Sequence, residues 1–429
     1  LEPGLHPLEH GLFALDEDLR RLAEEHGARQ RAVIAVMAAG DLEEGAFACA
    51  HRPVVPGEVR RGGLDARGQQ RYDGRIVAAD AAGDALLGAL PARFAAQVVW
   101  TLATAGVTGP YELKADGQPL IDGTDVLVTV GATEALASAI LAFVELGDEV
   151  VVFEPTYDSY AADIARAGGV RRTVPLRFPD FALDEDALAA AFSERTALVL
   201  LNTPHNPTGK VFTAAECATI AEHAARHDAV VISDEVYEHL AFAPHEHMPF
   251  ASTPGMPERT LTISSGGKTF STTGWKIGWV SGPADLVAAV ASVKQFLTFA
   301  SGTPLQHGIA AGLCLPDAFF AEQRAEMAAR SALLVDGLTR AGFDAVAPQG
   351  GYFVLADAAP LGVDDAAEFA LRLPTEAGVV AIPASVFCDD PDASGMTSVL
   401  RFAFCKQRSV IDAAIERLVD TYGRSARTT

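Results

Sequence analysis

The stretch SSGGKTFSTTGWKIGW, residues 264–279, sets an amine, Lys268, directly behind two glycines, then adds a hydroxyl-rich run and a second cation, Lys276. Three other stretches carry matching chemistry. VGATEA (130–135) opens a helix from a glycine turn, NTPHNPTGK (202–210) places an asparagine in a proline-bounded loop, and ISDEVYEHL (232–240) pairs an aspartate with a tyrosine three residues on. Singly, each has a plain structural explanation: a tight connection, a turn, a solvated acid pair, a surface cation. Against that explanation stands their arrangement, because all four follow apolar runs that read as strands of one sheet. Together they fit one chemistry: an aldehyde cofactor held as a lysine imine, a carboxylate on its pyridinium nitrogen, and a phosphate on helix N–H groups.

The elements that must position these groups show in the hydrophobic pattern. From residue 125, DVLVTV, DEVVVFE, TALVLLN, AVVISDE, TLTISS and IGWVSG read as strands, and amphipathic runs such as TEALASAILAFVEL, YDSYAADIARA and TAAECATIAEHAARHD read as helices between them. Continuous Val/Ile/Leu runs are what strands covered on both faces require, so residues 125–309 are expected to form a large α/β domain with a mostly parallel sheet. Ligand sites in such sheets lie beyond the C-terminal strand ends. Residues 310–429 change rhythm. A long helix (FFAEQRAEMAARSALLVDGLTRAG) is followed by strands in YFVLADAA, GVVAIPAS and SVLRFAFCK and a last helix in VIDAAIERLVDTYG, which predicts a smaller α+β domain. CDDPDASGMT reads as a surface loop.

Composition narrows the function classes. With 429 residues, 49% hydrophobic and 21% charged, the chain reads as a globular protein of two packed domains. It shows no apolar run near the roughly 18 residues that span a bilayer. A net charge of −23, from 33 Lys+Arg against 56 Asp+Glu, argues against nucleic acid and anionic membrane partners. The five cysteines lack CxxC spacing or a neighbouring His cluster, so neither a disulfide framework nor a metal site is indicated and a cytoplasmic setting is expected. The first residues lack the basic-then-apolar order of a secretory signal.

NTPHNPTGKV, ISDEVYEHL, SSGGKTFSTTGWKIGW and RFAFCK, in this order, resemble the fold-type I pyridoxal-5'-phosphate enzymes, specifically the class I/II aminotransferases. The likeness runs from residue 125 to the end and is greatest to the kynurenine, methionine/glutamine and N-succinyldiaminopimelate aminotransferase group. It implies a large three-layer domain plus a smaller one. It also implies a homodimer that moves the α-amino group of an L-amino acid to a 2-oxo acid by a ping-pong mechanism through pyridoxamine phosphate. Lys268 matches the lysine that forms the internal aldimine and then moves the proton between Cα and C4'. Gly266 and Gly267 match the residues that let backbone approach the cofactor. Ser265 and Lys276, with the N–H groups of Ala132 and Thr133, match the phosphate contacts. Asp234 matches the partner of the pyridine nitrogen, Asn206 and Tyr237 the groups bonded to the phenolic oxygen, and Tyr157 in FEPTYDSY the aromatic stacked on the ring. Lys268, Asp234 and Tyr237 are the implied catalytic set. Arg401 matches the fork that takes the substrate α-carboxylate, with Asn206 beside it.

Before residue 125 the family pattern breaks. LRRLAEEHGA resembles the first helix, but RQRAVIAVMAAGD stands where a lid stretch is expected, and neither Tyr72 nor Tyr111 has the spacing of the tyrosine that reaches a partner chain's phosphate. An insertion, a divergent lid or a stretch decoded in the wrong frame would each give such a break in residues 1–124. Two other functions use the same constellation: β-elimination of cysteine S-conjugates, which starts from the same Cα deprotonation, and a cofactor-binding regulatory module without turnover. The second is disfavoured by the acidic charge and the lack of a basic recognition helix before residue 125.

Overall fold

The computed structural model describes residues 124–423. The fold that follows is that of one compact unit, Leu127–Ser301 with Leu315–Thr429. In chain order its first elements are β1 (Thr124–Val130), α1 (Gly131–Phe143), β2 (Glu149–Glu154), α2 (Asp158–Ala167), β3 (Val170–Pro175), α3 (Glu185–Ala191) and β4 (Thr196–Asn202). Then come α4 (Ala214–Arg226), β5 (Val230–Asp234), β6 (Thr260–Ser265), α5 (Gly266–Thr269), β7 (Ile277–Pro283) and α6 (Ala284–Leu297). The helix α7 (Thr303–Leu313) lies outside that unit, in Gly302–Cys314, and has a proline in its first turn.

Seven strands form one sheet in the order β1-β7-β6-β5-β4-β2-β3. β3, β2, β4, β5 and β6 run parallel, and β7 is antiparallel to β6. Successive side chains of a strand face opposite ways, so each interior strand feeds two cores. Val150, Val152, Leu198, Leu200 and Ile232 pack with residues of α1, α2 and α6, whereas Val151, Phe153, Val199, Leu201 and Val231 pack with residues of α3 and α4. That two-sided burial gives three layers and explains the unbroken apolar runs.

A second sheet has the order β10-β11-β9-β8 and is antiparallel throughout. It follows α8 (Asp317–Arg340) and comprises β8 (Asp344–Val346), β9 (Phe353–Asp357), β10 (Ile382–Pro383) and β11 (Val399–Ala403), with α9 (Ala366–Glu376) and α10 (Arg408–Tyr422) completing the α+β part. Its core joins Leu338, Val354, Phe402 and Ile415 to Val236, Tyr237 and Leu240 from the segment after β5. The loop that carries Tyr237 is thus wedged into the second core.

Two details depart from the sequence reading. GVVAIPAS forms a strand only at Ile382–Pro383 before a 3-10 turn over Ala384–Phe387, since Pro383 lacks the N–H that would extend the ladder. VRRTVP, not read as a strand, is β3: it lies at the sheet edge and alternates exposed or half-buried residues, with only Val174 buried. The preceding helix does end at glycine as read, with Gly168 left-handed at φ 81°.

Candidate active site

Four strand ends open onto one cavity of about 120 Å³. From the end of β1, Gly131 turns the chain into α1 with φ +71°, and Ala132 and Thr133 line the cavity. No side chain caps this helix start, which leaves the first-turn N–H groups open to an anion. β7 can lie against that start because residue 278 is glycine: a Cβ there would sit 2.6 Å from the Ala132 nitrogen and 2.6 Å from the Gly131 carbonyl carbon. The same approach brings exposed Lys276 to the cavity wall. Ser265, at the end of β6, accepts the Gly267 N–H at 3.2 Å and faces the same space.

Lys268 stands in the short helix α5, half-buried, with Nζ 5.8 Å from the ring centroid of Tyr237 and 6.0 Å from that of Tyr352. Burial pushes its amine below the ordinary lysine range, which favours the neutral, nucleophilic form. Asp234 ends β5 and is 4% exposed. Burial lifts its carboxyl to about 6, against the pull of a hydrogen bond from the Tyr160 hydroxyl to Oδ2 at 2.6 Å. Asn202 ties two loops together, donating to the Asp234 carbonyl at 2.8 Å and accepting the Asn206 N–H at 2.6 Å.

Tyr160 was not singled out from the sequence, although it lies in the same FEPTYDSY stretch as Tyr157. Its ring meets that of Tyr157 edge-on at 5.6 Å. A hydroxyl that donates to a carboxylate favours the ionised form, so its removal raises the carboxyl pKa. Tyr160→Phe is expected to raise the Asp234 titration midpoint in the cofactor-free protein by about one unit. The side-chain carboxyl ¹³C signal measures this; an unmoved midpoint means that Tyr160 only fills space.

Arg401 lies on β11 in the second sheet and reaches the cavity through Asn206, whose Oδ1 accepts from Nη1 at 3.0 Å. Its guanidinium lies over the rings of Phe353, 4.1 Å from the centroid, and Phe387, 4.5 Å. Both rings are within cation–π distance of the guanidinium, whose N–H fork suits a bidentate contact with a carboxylate. Ala132, Thr133, Tyr157, Asn206, Asp234, Tyr237, Ser265, Lys268 and Lys276 therefore line one cavity, with Arg401 attached at Asn206. Phe353, Phe387, Asn202, Tyr160 and Tyr352 were not read from the sequence, because a buried aromatic or amide looks the same there whether it serves a core or a site. The stretch before residue 124, with Tyr72 and Tyr111, lies outside the described residues.

Residues 113–418 match the family of class I and II aminotransferases. The chain belongs to that family. The aminotransferase is 50% identical over 306 residues, 69% of this chain and 76% of the other, to a probable N-succinyldiaminopimelate aminotransferase of Mycobacterium tuberculosis. It is 42% identical over 309 residues to the methionine aminotransferase of Escherichia coli, covering 70% and 77% of the two chains. Among solved structures, the N-succinyldiaminopimelate aminotransferase from Mycobacterium tuberculosis aligns with a TM-score of 0.68 at 50% identity, over 71% of this chain and 79% of that one.

The aminotransferase is thus a pyridoxal-5'-phosphate-dependent transaminase of fold type I, and neither the β-lyase reading nor the regulatory-module reading is favoured. Its residues fit the cofactor: an uncapped helix start with a hydroxyl and an ammonium for a phosphate, a buried carboxylate for a ring nitrogen, and a desolvated amine for an aldehyde. Among the described residues, no group of three or more His, Cys, Asp or Glu could hold a metal ion, and no helix is long and apolar enough to cross a membrane.

Proposed function

We propose that this transaminase passes the α-amino group of an L-amino acid to a 2-oxo acid by a ping-pong mechanism, with Lys268 as the residue that carries the cofactor and moves the proton at Cα. When bound, pyridoxal 5'-phosphate supplies an aldehyde that takes up an amino group and a ring that withdraws electrons from the adjoining carbon. Asp234 keeps the ring nitrogen protonated. Asn206 and Tyr237 hold the phenolic oxygen, Tyr157 covers the ring face, and Ser265, Lys276 and the N–H groups of Ala132 and Thr133 hold the phosphate. The observation that carries this reading is the meeting of Lys268, Asp234 and the open start of α1 in one cavity.

Arg401 takes the substrate α-carboxylate, supported by its aromatic packing and its link to Asn206. Arg401→Gln is expected to lower kcat/KM for the best amino acid by on the order of 2 to 5 kcal/mol of transition-state binding, because a charge-assisted contact is lost from a partly desolvated site. Unchanged kcat/KM moves the carboxylate site elsewhere. The function itself is tested by supplying 2-oxoglutarate with a panel of amino donors headed by N-succinyldiaminopimelate, methionine and kynurenine, the substrates in the relatives' names. Formation of glutamate supports the reading, and its absence with every donor overturns it.

The protein acts as a cytoplasmic homodimer in this proposal. Support for a second copy comes from apolar side chains left in water at the end of α6 and just beyond it, with Phe296 85% and Phe299 82% exposed. Four cysteines among the described residues are free thiols, in keeping with a reducing compartment.

A further inference from the structure

The segment PQGGY, residues 348–352, was not among the motifs read from the sequence, yet it is bonded to the chain that follows each of β4, β5 and β6. Gln349 accepts the Val211 N–H on its side-chain oxygen at 2.8 Å and the Phe242 N–H on its carbonyl at 2.7 Å. Gly351 donates to the Leu240 carbonyl at 2.9 Å. Gly350 pairs with Ala241, and a Cβ on it would meet the Leu240 oxygen at 2.6 Å and Pro204 at 3.0 Å, so only glycine lets the segment lie this close. The Tyr352 carbonyl accepts the Phe404 N–H at 3.0 Å, next to the strand of Arg401. At the end of the segment the Tyr352 hydroxyl donates to the carbonyl of Lys268.

That last bond matters because of what holds Lys268. Its helix, α5, has four residues and opens with two glycines, the residue type with the most backbone freedom. The last carbonyls of a helix lack partners within it, and in so short a helix Lys268 is among them. The Tyr352 hydroxyl supplies the missing donor. Its ring, 7% exposed, meets the Tyr237 ring edge-on at 5.2 Å, and the Lys268 amine lies over the two rings.

We propose that Tyr352 is a positioning residue: its hydroxyl fixes the backbone of the Lys268 turn, so that the amine moves while its base stays still. The consequence for rate rests on the reading of Lys268 as the cofactor lysine, but the clamp does not. The first test therefore uses the cofactor-free protein. Tyr352→Phe keeps the ring and removes the hydroxyl. Hydrogen exchange of the amides of residues 266–270, including Phe270 N–H, which donates to the Gly266 carbonyl at 2.9 Å, is expected to speed up by about five- to tenfold, the worth of one hydrogen bond. The rest of the chain should be unchanged.

After loading with pyridoxal 5'-phosphate, the variant is expected to take up a full complement of cofactor with a weakened visible circular-dichroism band. Its kcat should fall about tenfold and its KM stay within about twofold, as for a displaced but intact reacting group. p-Aminophenylalanine at position 352, which keeps a donor, should restore both exchange and the dichroic band, and it serves as the deciding variant where Tyr352→Phe does not fold. Unchanged exchange in residues 266–270, or exchange accelerated evenly over the chain, overturns the proposal.

Discussion

Replacement of Lys268 by alanine is expected to abolish the visible absorbance band of the lysine imine and to lower turnover by about 10⁴-fold or more, since in the proposed reading one side chain holds the cofactor and moves the proton. Among the described residues the cavity has one other lysine, Lys276, and it is not expected to take over. Lys276 is exposed and sits at the open start of α1, where its charge complements an anion, whereas burial lowers the Lys268 amine toward the neutral form an aldehyde needs. Absorbance spectra with and without added cofactor, together with single-turnover mixing, make the measurement. A variant that keeps both the band and the rate removes Lys268 from its proposed role.

The second large effect is expected at Asp234, and it has two opposite parts. Asp234→Asn keeps the shape and loses the charge, so the cofactor ring nitrogen loses its proposed ionic partner and kcat should fall by roughly 10²–10³-fold, about 3 to 4 kcal/mol of lost electrostatic support. Stability of the cofactor-free protein should move the other way. The Asp234 carboxyl is raised by burial to about 6, from an unfolded value near 3.9. A raised folded pKa means that the folded state binds the proton more tightly, so this group contributes no penalty below about pH 4. Between about pH 4 and pH 6 the penalty grows, and above that it stays near 2 to 3 kcal/mol. Asn carries no such penalty. Denaturant titrations of the two cofactor-free proteins should therefore differ at pH 8 in favour of Asn and coincide near pH 4. A wild type that is the more stable of the two at pH 8 shows that Asp234 is well paired without the cofactor.

How much of this was legible in the sequence depended on what each residue has to do. Strands buried on both faces announced themselves as unbroken apolar runs, and residues such as Lys268, Asp234 and Asn206 stood at the ends of those runs, where the type of sheet says a ligand lies. Edge strand β3 was missed because it needs only one buried residue, Val174, and otherwise carries arginines. Tyr160 and Tyr352 were missed for a different reason. Each acts on a group distant in the chain, Asp234 and the Lys268 carbonyl, and nothing local marks a tyrosine whose hydroxyl finds its acceptor across the fold. The packing of Arg401 against Phe353 and Phe387 likewise joins three separate segments. Motif reading finds groups whose neighbours in sequence share their task, and it passes over those recruited by the fold.

The bond from Arg401 to Asn206 joins the second sheet to a loop of the first, and with the bond from Tyr352 to the Lys268 carbonyl it sets an order for completing the site during synthesis. A chain emerging from the ribosome releases Asn206, Asp234 and Lys268 well before Tyr352 and Arg401. The half-made polypeptide thus has Lys268 without its bond from Tyr352 and Asn206 without its bond from Arg401. On the proposed roles of Lys268 and Arg401, aldehyde chemistry on free amino acids would wait until the last strand, β11, has left the exit tunnel and docked.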